Sequence, residues 1–123
     1  MTEVRHGCRL LVYTTGDDRV GHHSVWEVLL QRARDEGLSG ATVWQGIEGF
    51  GATRRLRTTR FPDMARGLPL VVEIVDEPER IDAFLHVVAE VAPDALVTTE
   101  PVSTARRQAS GPLPFDDTPP YPR

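Results

Sequence analysis

Lysine is absent from this chain: all 14 Lys/Arg positions are arginine. Wholesale use of one basic residue can reflect genome composition, so information lies in where arginines cluster rather than in any one of them. Cys8 is the only cysteine, which excludes an internal disulfide framework. No apolar run approaches the roughly 20 residues that span a bilayer, so no membrane insertion is expected. The opening MTEVRHG has no apolar signal region, which makes the cytoplasm the expected location. Aromatic residues are 7% of the chain and sparse around the arginines, giving little support for base stacking. The net charge of −4 also argues against nucleic acid as a partner of the whole molecule. No Ser-His-Asp set or Cys-His pair has motif context, and an enzyme is not expected.

What remains is an ordinary globular composition, 40% hydrophobic and 26% charged over 123 residues. That is one domain, large enough for a core without staples. Residues 8–14 (CRLLVYT) read as a strand ending at Gly16. Ser24 with Glu27 has the spacing of a capping box, opening a helix with Val25, Leu29 and Ala33 on one stripe and Trp26 and Leu30 beside it. Gly37 supplies the left-handed stop. Ala41 to Phe50 reads as a second strand, and Leu68 to Val75, nearly all apolar, as a central third. Asp76 and Glu79 form an acidic cap, with Pro78 in the first turn of a helix carrying Ile81, Phe84, Leu85, Val88 and Val91. Ala95 to Val102 gives a fourth strand.

The order β-α-β-β-α-β predicts an α+β, ferredoxin-like sandwich: a four-stranded antiparallel sheet with two helices on one face. The other face would be left for oligomerisation. Residues 1–7 are expected to be a flexible N-terminus and 8–103 the folded domain, with a long loop over 51–67. The Pro-rich remainder, 104–123, reads as a disordered tail.

The loop carries Arg54, Arg55, Arg57, Arg60 and Arg66 against Asp63 alone, a basic excursion in an acidic protein. Connections of this length are uncommon in compact domains unless they bind something or are disordered. Its guanidiniums suit phosphate or carboxylate groups, or an acidic partner surface; a solvated loop is the plainer reading. Gly49-Phe50-Gly51 can bring backbone amides close to an anion, or can simply mark a bulge. His22-His23 with Asp17 and Asp18 suggests a metal site less well than a turn before a helix, and no metal is expected there. His6 falls in the N-terminal segment and His86 on the polar side of its helix. Glu73 lies within an apolar strand and is expected to face the far side of the sheet, pairing with an arginine across a subunit contact.

Taken in order, YTTGDDR, SVWEVLLQRARDEGLSGATV, GIEGFG, LPLVVEIVDEPERIDAFL and ALVTTEPV resemble the domain-of-unknown-function 190 family, related to the PII signalling proteins. The resemblance spans residues 8–103. It implies a PII-like homotrimer whose subunit clefts bind a small effector, an adenine nucleotide being the class PII proteins suggest. By the same match, Gly49, Phe50 and Gly51 form the loop base, with Gly51 a backbone donor to a phosphate. Ile47 and Glu48 lead into that base, Arg54 and Arg55 would fold over the ligand, and Arg57, Arg60 and Phe61 would dock a target such as a membrane transporter. The chain departs from PII proteins at EVAPDAL, which lacks their glycine- and lysine-bearing phosphate loop, and in its C-terminal segment. The resemblance also leaves open an effector-independent adaptor, and a metal-responsive trimer similar to divalent-cation-tolerance proteins.

Overall fold

The computed structural model describes the backbone of residues 2–107 and side chains from residue 3 to 105. Strand β1 runs Thr2–Thr15, followed by the short strands β2 (Arg19–Val20) and β3 (His23–Ser24) and helix α1 (Val25–Asp35). Strands β4 (Ala41–Gln45), β5 (Glu48–Gly49) and β6 (Arg57–Thr58) come next, then a 3-10 turn at Pro62–Met64. Strand β7 (Pro69–Asp76), helix α2 (Pro78–Val91) and strand β8 (Leu96–Arg107) complete the order. Four strands form one antiparallel sheet in the order β4-β7-β1-β8, as the ferredoxin-like reading requires.

Alternation along β7 explains why only one face is covered. Leu70, Val72, Ile74 and Asp76 are buried, whereas Val71, Glu73 and Val75 point to the other side. Leu10 and Val12 of β1 are fully buried beside Val72 and Ile74. Onto them pack Val25, Leu29 and Ala33 of α1 and Ile81, Phe84, Val88 and Val91 of α2. Each such large side chain contributes roughly 1.5–3 kcal/mol by leaving water. Val87, not picked out by the periodicity, is buried too, while Leu85 is only partly so.

Gly37 ends α1 as expected, at φ +73 with the Leu38 amide bonded to the Ala33 carbonyl at 3.0 Å. Ser24 stands at the N-cap of α1 as expected, but the capping-box bond is not made, and the α2 cap falls one residue after Asp76. The Ser24 hydroxyl accepts from the Arg19 guanidinium instead. The cap residue of α2 is Glu77, again without a side-chain bond. Asp76 has a different task, its carboxylate accepting the Glu77 amide at 2.7 Å and the Ser39 amide at 2.8 Å. It thereby ties the α1–β4 connection to the β7–α2 junction.

Three boundaries differ from the sequence reading. Residues 2–7 are strand rather than a flexible N-terminus, because β8 continues to Arg107 and pairs with them from Gly7↔Val102 to Thr2↔Arg107. The first part of the expected tail is therefore also strand; residues 108–123 lie outside the described residues. The predicted strand Ala41–Phe50 breaks after Gln45, and its second part pairs with β6 as Glu48↔Thr58 and Gly49↔Arg57. The Gly46 amide bonds to the Pro69 carbonyl at 2.7 Å, one step further along the β4–β7 register, and beyond it the chain leaves β7 for the β5–β6 hairpin.

Candidate functional site

The β5–β6 pairing divides the predicted 51–67 loop into a hairpin excursion and a 3-10 segment. Its base is held by Glu48. Thr58, fully buried, donates its hydroxyl to Glu48 Oε1 at 2.8 Å, and Arg60 Nε donates to the same oxygen at 2.7 Å. The Thr58 bond holds the Glu48 carboxyl below its ordinary range; partial desolvation opposes this, and Arg60 adds to the lowering. Backbone bonds complete the clasp, with the Thr59 amide on the Ile47 carbonyl at 2.9 Å.

Above the clasp the chain is open. Ile47 is 72% and Phe50 62% exposed. Gly49 sits against Pro69, where an added Cβ would come within 3.1 Å of the ring. A Cβ on Gly51 would meet nothing within 4 Å, and its φ is not positive, so the chain's own packing does not require glycine there. The Arg54 amide closes a turn onto the Gly51 carbonyl at 2.8 Å, with Arg54 at φ +62, the one non-glycine residue in that region among those described. Such a conformation costs on the order of 1 kcal/mol. The Arg54 guanidinium lies 5.6 Å from the Phe50 ring centroid, and that of Arg60 lies 5.9 Å from the Phe61 ring.

The ten residues singled out in the sequence thus separate. Glu48 and Arg60 form the clasp, Phe50 and Arg54 stack at the tip, and Phe61 is exposed under Arg60. Arg55 is exposed, with no side-chain partner among the described residues. Arg57 turns back to the domain and meets Asp17 at 3.7 Å. None of the ten lines the nearby cleft of about 380 Å³, which is walled by Gly16, Trp26, Val43, Gln45, Ala65, Gly67, Leu68 and Leu70. That cleft was missed. Gly67 was its available signal: it has φ +67, and a Cβ there would lie 2.3 Å from Asp17 Oδ2.

Apart from Val4, on β1 beyond the end of β7, the exposed large apolar residues fall into two surfaces. Ile47, Phe50, Leu56 and Phe61 belong to the excursion. Trp44, Tyr13 and Leu96 belong to a row across the uncovered sheet face, Trp44↔Val71↔Tyr13↔Leu96. Glu73 faces that side as expected, but within the chain it accepts from Trp44 Nε1 at 2.7 Å. Arg9 pairs there with Glu100, and its Nε is buried without a partner. His22 and His23 belong to the β2–β3 hairpin, where Val20 pairs with His23. Among the described residues no group of His, Cys, Asp or Glu could hold a metal, and no helix is long and apolar enough to cross a membrane.

The profile of DUF190, an uncharacterized conserved family, matches residues 7–104. A UPF0166 protein of Aquifex aeolicus is 39% identical over 77 residues, covering 63% of this chain and 73% of its own. Another, of Methanocaldococcus jannaschii, is 30% identical over 82 residues, 67% and 75% of the two chains. Among solved structures, CPII of Thiomonas intermedia K12, a nitrogen regulatory PII-like protein bound to ADP, AMP and bicarbonate, has a TM-score of 0.62 at 12% identity, covering 85% of this chain and 92% of that one. A putative PII-like signalling protein of Thermus thermophilus has a TM-score of 0.58 at 15% identity, with the same coverage. CutA of Synechococcus elongatus PCC7942 has a TM-score of 0.51 at 15% identity, covering 85% of each chain. The sequence match and the sheet order together place the chain in the DUF190 (UPF0166) family, with the PII-like form of the ferredoxin-like fold.

Proposed function

We propose that this chain is a PII-like regulatory subunit, not an enzyme, acting in the cytoplasm as a homotrimer joined through the uncovered sheet face. A small anionic effector of the adenine-nucleotide class binds where the excursion borders a neighbouring copy. Arg54 and Arg55 pair with its phosphates while the Gly51 amide donates to one of them. Binding reorders the excursion and alters how Arg57, Arg60 and Phe61 meet a target such as a membrane transporter. This is an order–disorder switch driven by charge-assisted hydrogen bonds.

The observation that carries this reading is the contrast between base and tip. Glu48, Thr58 and Arg60 fix the base, while Arg55 is unpaired among the described residues and Arg54 is held in a costly conformation above it. A ligand that engaged both guanidiniums would supply the energy to move such a tip. The fold's likeness to CPII, which binds ADP and AMP, supports the choice of ligand class. Calorimetry with AMP, ADP, ATP and cyclic dinucleotides tests it. Binding that is lost in an Arg54→Ala/Arg55→Ala variant is expected; no heat with any of them at millimolar concentration would remove the nucleotide reading.

The exposed Phe50, Leu56 and Phe61 favour a second reading, an adaptor that docks a partner without an effector. Recovery of the same partner in equal amount with and without nucleotide would select it.

A further inference from the structure

The cleft of about 380 Å³ at the head of α1 lies on the helix side of the sheet, away from the uncovered face. Val43 packs against the core, Leu70 belongs to the buried face of β7, and Trp44 beside them points the other way. Leu68 and Leu70, both nearly buried, make the floor with Val43 and Trp26, and Gln45 is the polar side chain in the wall. The Gly16 amide bonds to the Leu68 carbonyl at 3.1 Å and closes one end. Small-molecule sites are typically clefts of roughly 300–1,000 Å³, mainly apolar with a few placed polar groups. This cleft has that character at the small end of the range.

Its rim is charged. A Cβ on Gly67 would come within 2.3 Å of Asp17 Oδ2, so the glycine is what lets that carboxylate lie over the cleft wall. The same oxygen faces Arg57 Nη2 at 3.7 Å, an ionic contact beyond hydrogen-bond length. The Arg57 side chain is 20% exposed, against 65% for Arg60. Yet among the described residues no acceptor lies within hydrogen-bond distance of its guanidinium. A guanidinium drawn out of water in this way carries unmet donors. Asp17 is 57% exposed and can turn to solvent, leaving those donors to another carboxylate.

We infer that this cleft is a second binding site, for a small aromatic carboxylic acid. The ring lies on Trp26, Leu68 and Leu70, and the carboxylate replaces Asp17 on Arg57. The site goes beyond the effector reading and does not depend on it, since Gly51, Arg54 and Arg55 do not line the cleft. The apolar floor selects a ring over a sugar or a polyphosphate, whose polar groups it would leave without partners. The Arg57 fork selects a carboxylate, which it can bind through two parallel hydrogen bonds. A cationic ligand would find only Asp17, already facing Arg57. Arg57 is also the β6 residue opposite Gly49, so the bound acid would tether the excursion in place of Asp17.

Methyl NMR titration of the full chain with 3-phenylpropionate, 3-phenylpropan-1-ol and 3-phenylpropylammonium tests this, because the three share a ring and differ in the head group. Expected are saturable shifts of the Val43, Leu68 and Leu70 methyls, with the acid bound on the order of tenfold more tightly than the alcohol. Arg57→Gln should abolish that preference, whereas Asp17→Asn, which removes the competing carboxylate, should tighten the acid several-fold. Both changes are at the surface, and melting by circular dichroism confirms that each folds. Arg54→Ala/Arg55→Ala should leave the titration unchanged even though it removes nucleotide binding, so the two sites fail or stand separately. No saturable shift with any probe up to about 10 mM overturns the site, as does equal binding of all three or a preference for the ammonium. Loss of acid binding in the Arg54→Ala/Arg55→Ala variant would place the acid at the tip and overturn it too.

Discussion

Asp76 is the side chain whose removal should be most costly for its size. Its side chain is 3% exposed, and its two oxygens take the amides of Ser39 and Glu77 at 2.8 and 2.7 Å, with Arg80 at 3.6 Å. Hydrogen bonds to a charged group contribute roughly 1.5–3 kcal/mol each, and an amide left unpaired in the interior costs about 1–3 kcal/mol. Replacing Asp76 with alanine orphans both amides, so a loss of about 3 kcal/mol is expected, with Asp76→Asn losing about half as much. The asparagine keeps one acceptor, for one amide, while its NH₂ faces the other amide, donor against donor. Urea denaturation at one fixed protomer concentration reads this as a lower midpoint with an unchanged slope. A loss under about 0.5 kcal/mol for Asp76→Ala would refute the tie between the two junctions. pH supplies an independent check. Burial raises the Asp76 pKa, but the Ser39 and Glu77 amides and Arg80 more than offset it, so the net shift is downward. A depressed carboxylate stabilises the fold fully above its unfolded pKa of ~3.9 and loses that contribution as pH falls through the folded value. The wild type should therefore lose more stability than Asp76→Asn on acidification below about pH 4.

Glu48→Gln weakens the clasp that Thr58 and Arg60 make, so trypsin should cut after Arg54 and Arg55 several-fold faster while global melting barely changes. Because the Glu48 pKa is also lowered, the clasp should persist above the usual glutamate range and loosen as pH drops through the folded value, which side-chain NMR titration would follow. Gly67→Ala combines a φ of +67 with a Cβ 2.3 Å from Asp17 Oδ2 and should cost at least about 1 kcal/mol. Gly51→Ala, with open space around it and no positive φ, should leave stability within about 0.5 kcal/mol by the same denaturation assay. Phe84→Ala, in the centre of the core, should cost about 3–5 kcal/mol.

The elements legible in the sequence were those whose apolar residues recur with a helix or strand period. Val25, Leu29 and Ala33 give α1, and the apolar run of β7 gives a central strand, both as found. The start of β1 was not legible because TEVRHG carries no apolar alternation; its pairing is imposed by β8 from the far end of the chain. The Ser24 position at the head of α1 was legible, but its capping bond was not made, because a hydroxyl at the right spacing has competitors that spacing does not reveal, here Arg19 across the β2–β3 hairpin. The candidate site divided for the same reason. A cluster of arginines in sequence says nothing of which will find carboxylates, and Glu48 and Asp17 claim Arg60 and Arg57, leaving Arg54 and Arg55 at the tip.

That division bears on how a signal could pass through the molecule. The clasp and the sheet are joined at Pro69: its carbonyl takes the Gly46 amide at 2.7 Å, and its ring lies where a Cβ on Gly49 would come within 3.1 Å. Pro69 is also the first residue of β7, whose Val71 and Glu73 belong to the uncovered face. A ligand that pulled on Arg54 would act first on the short hairpin, then on Glu48 and Thr58, and through Gly46–Gly49 on the edge where β4 meets β7. Coupling of this kind needs an element with two arrangements rather than a continuous wire. The strained Arg54 turn above a fixed base is the one described feature suited to that part. Under the proposed function, a ligand at the arginine tip would have to overcome the Glu48 clasp before any change reached β7 and the uncovered sheet face.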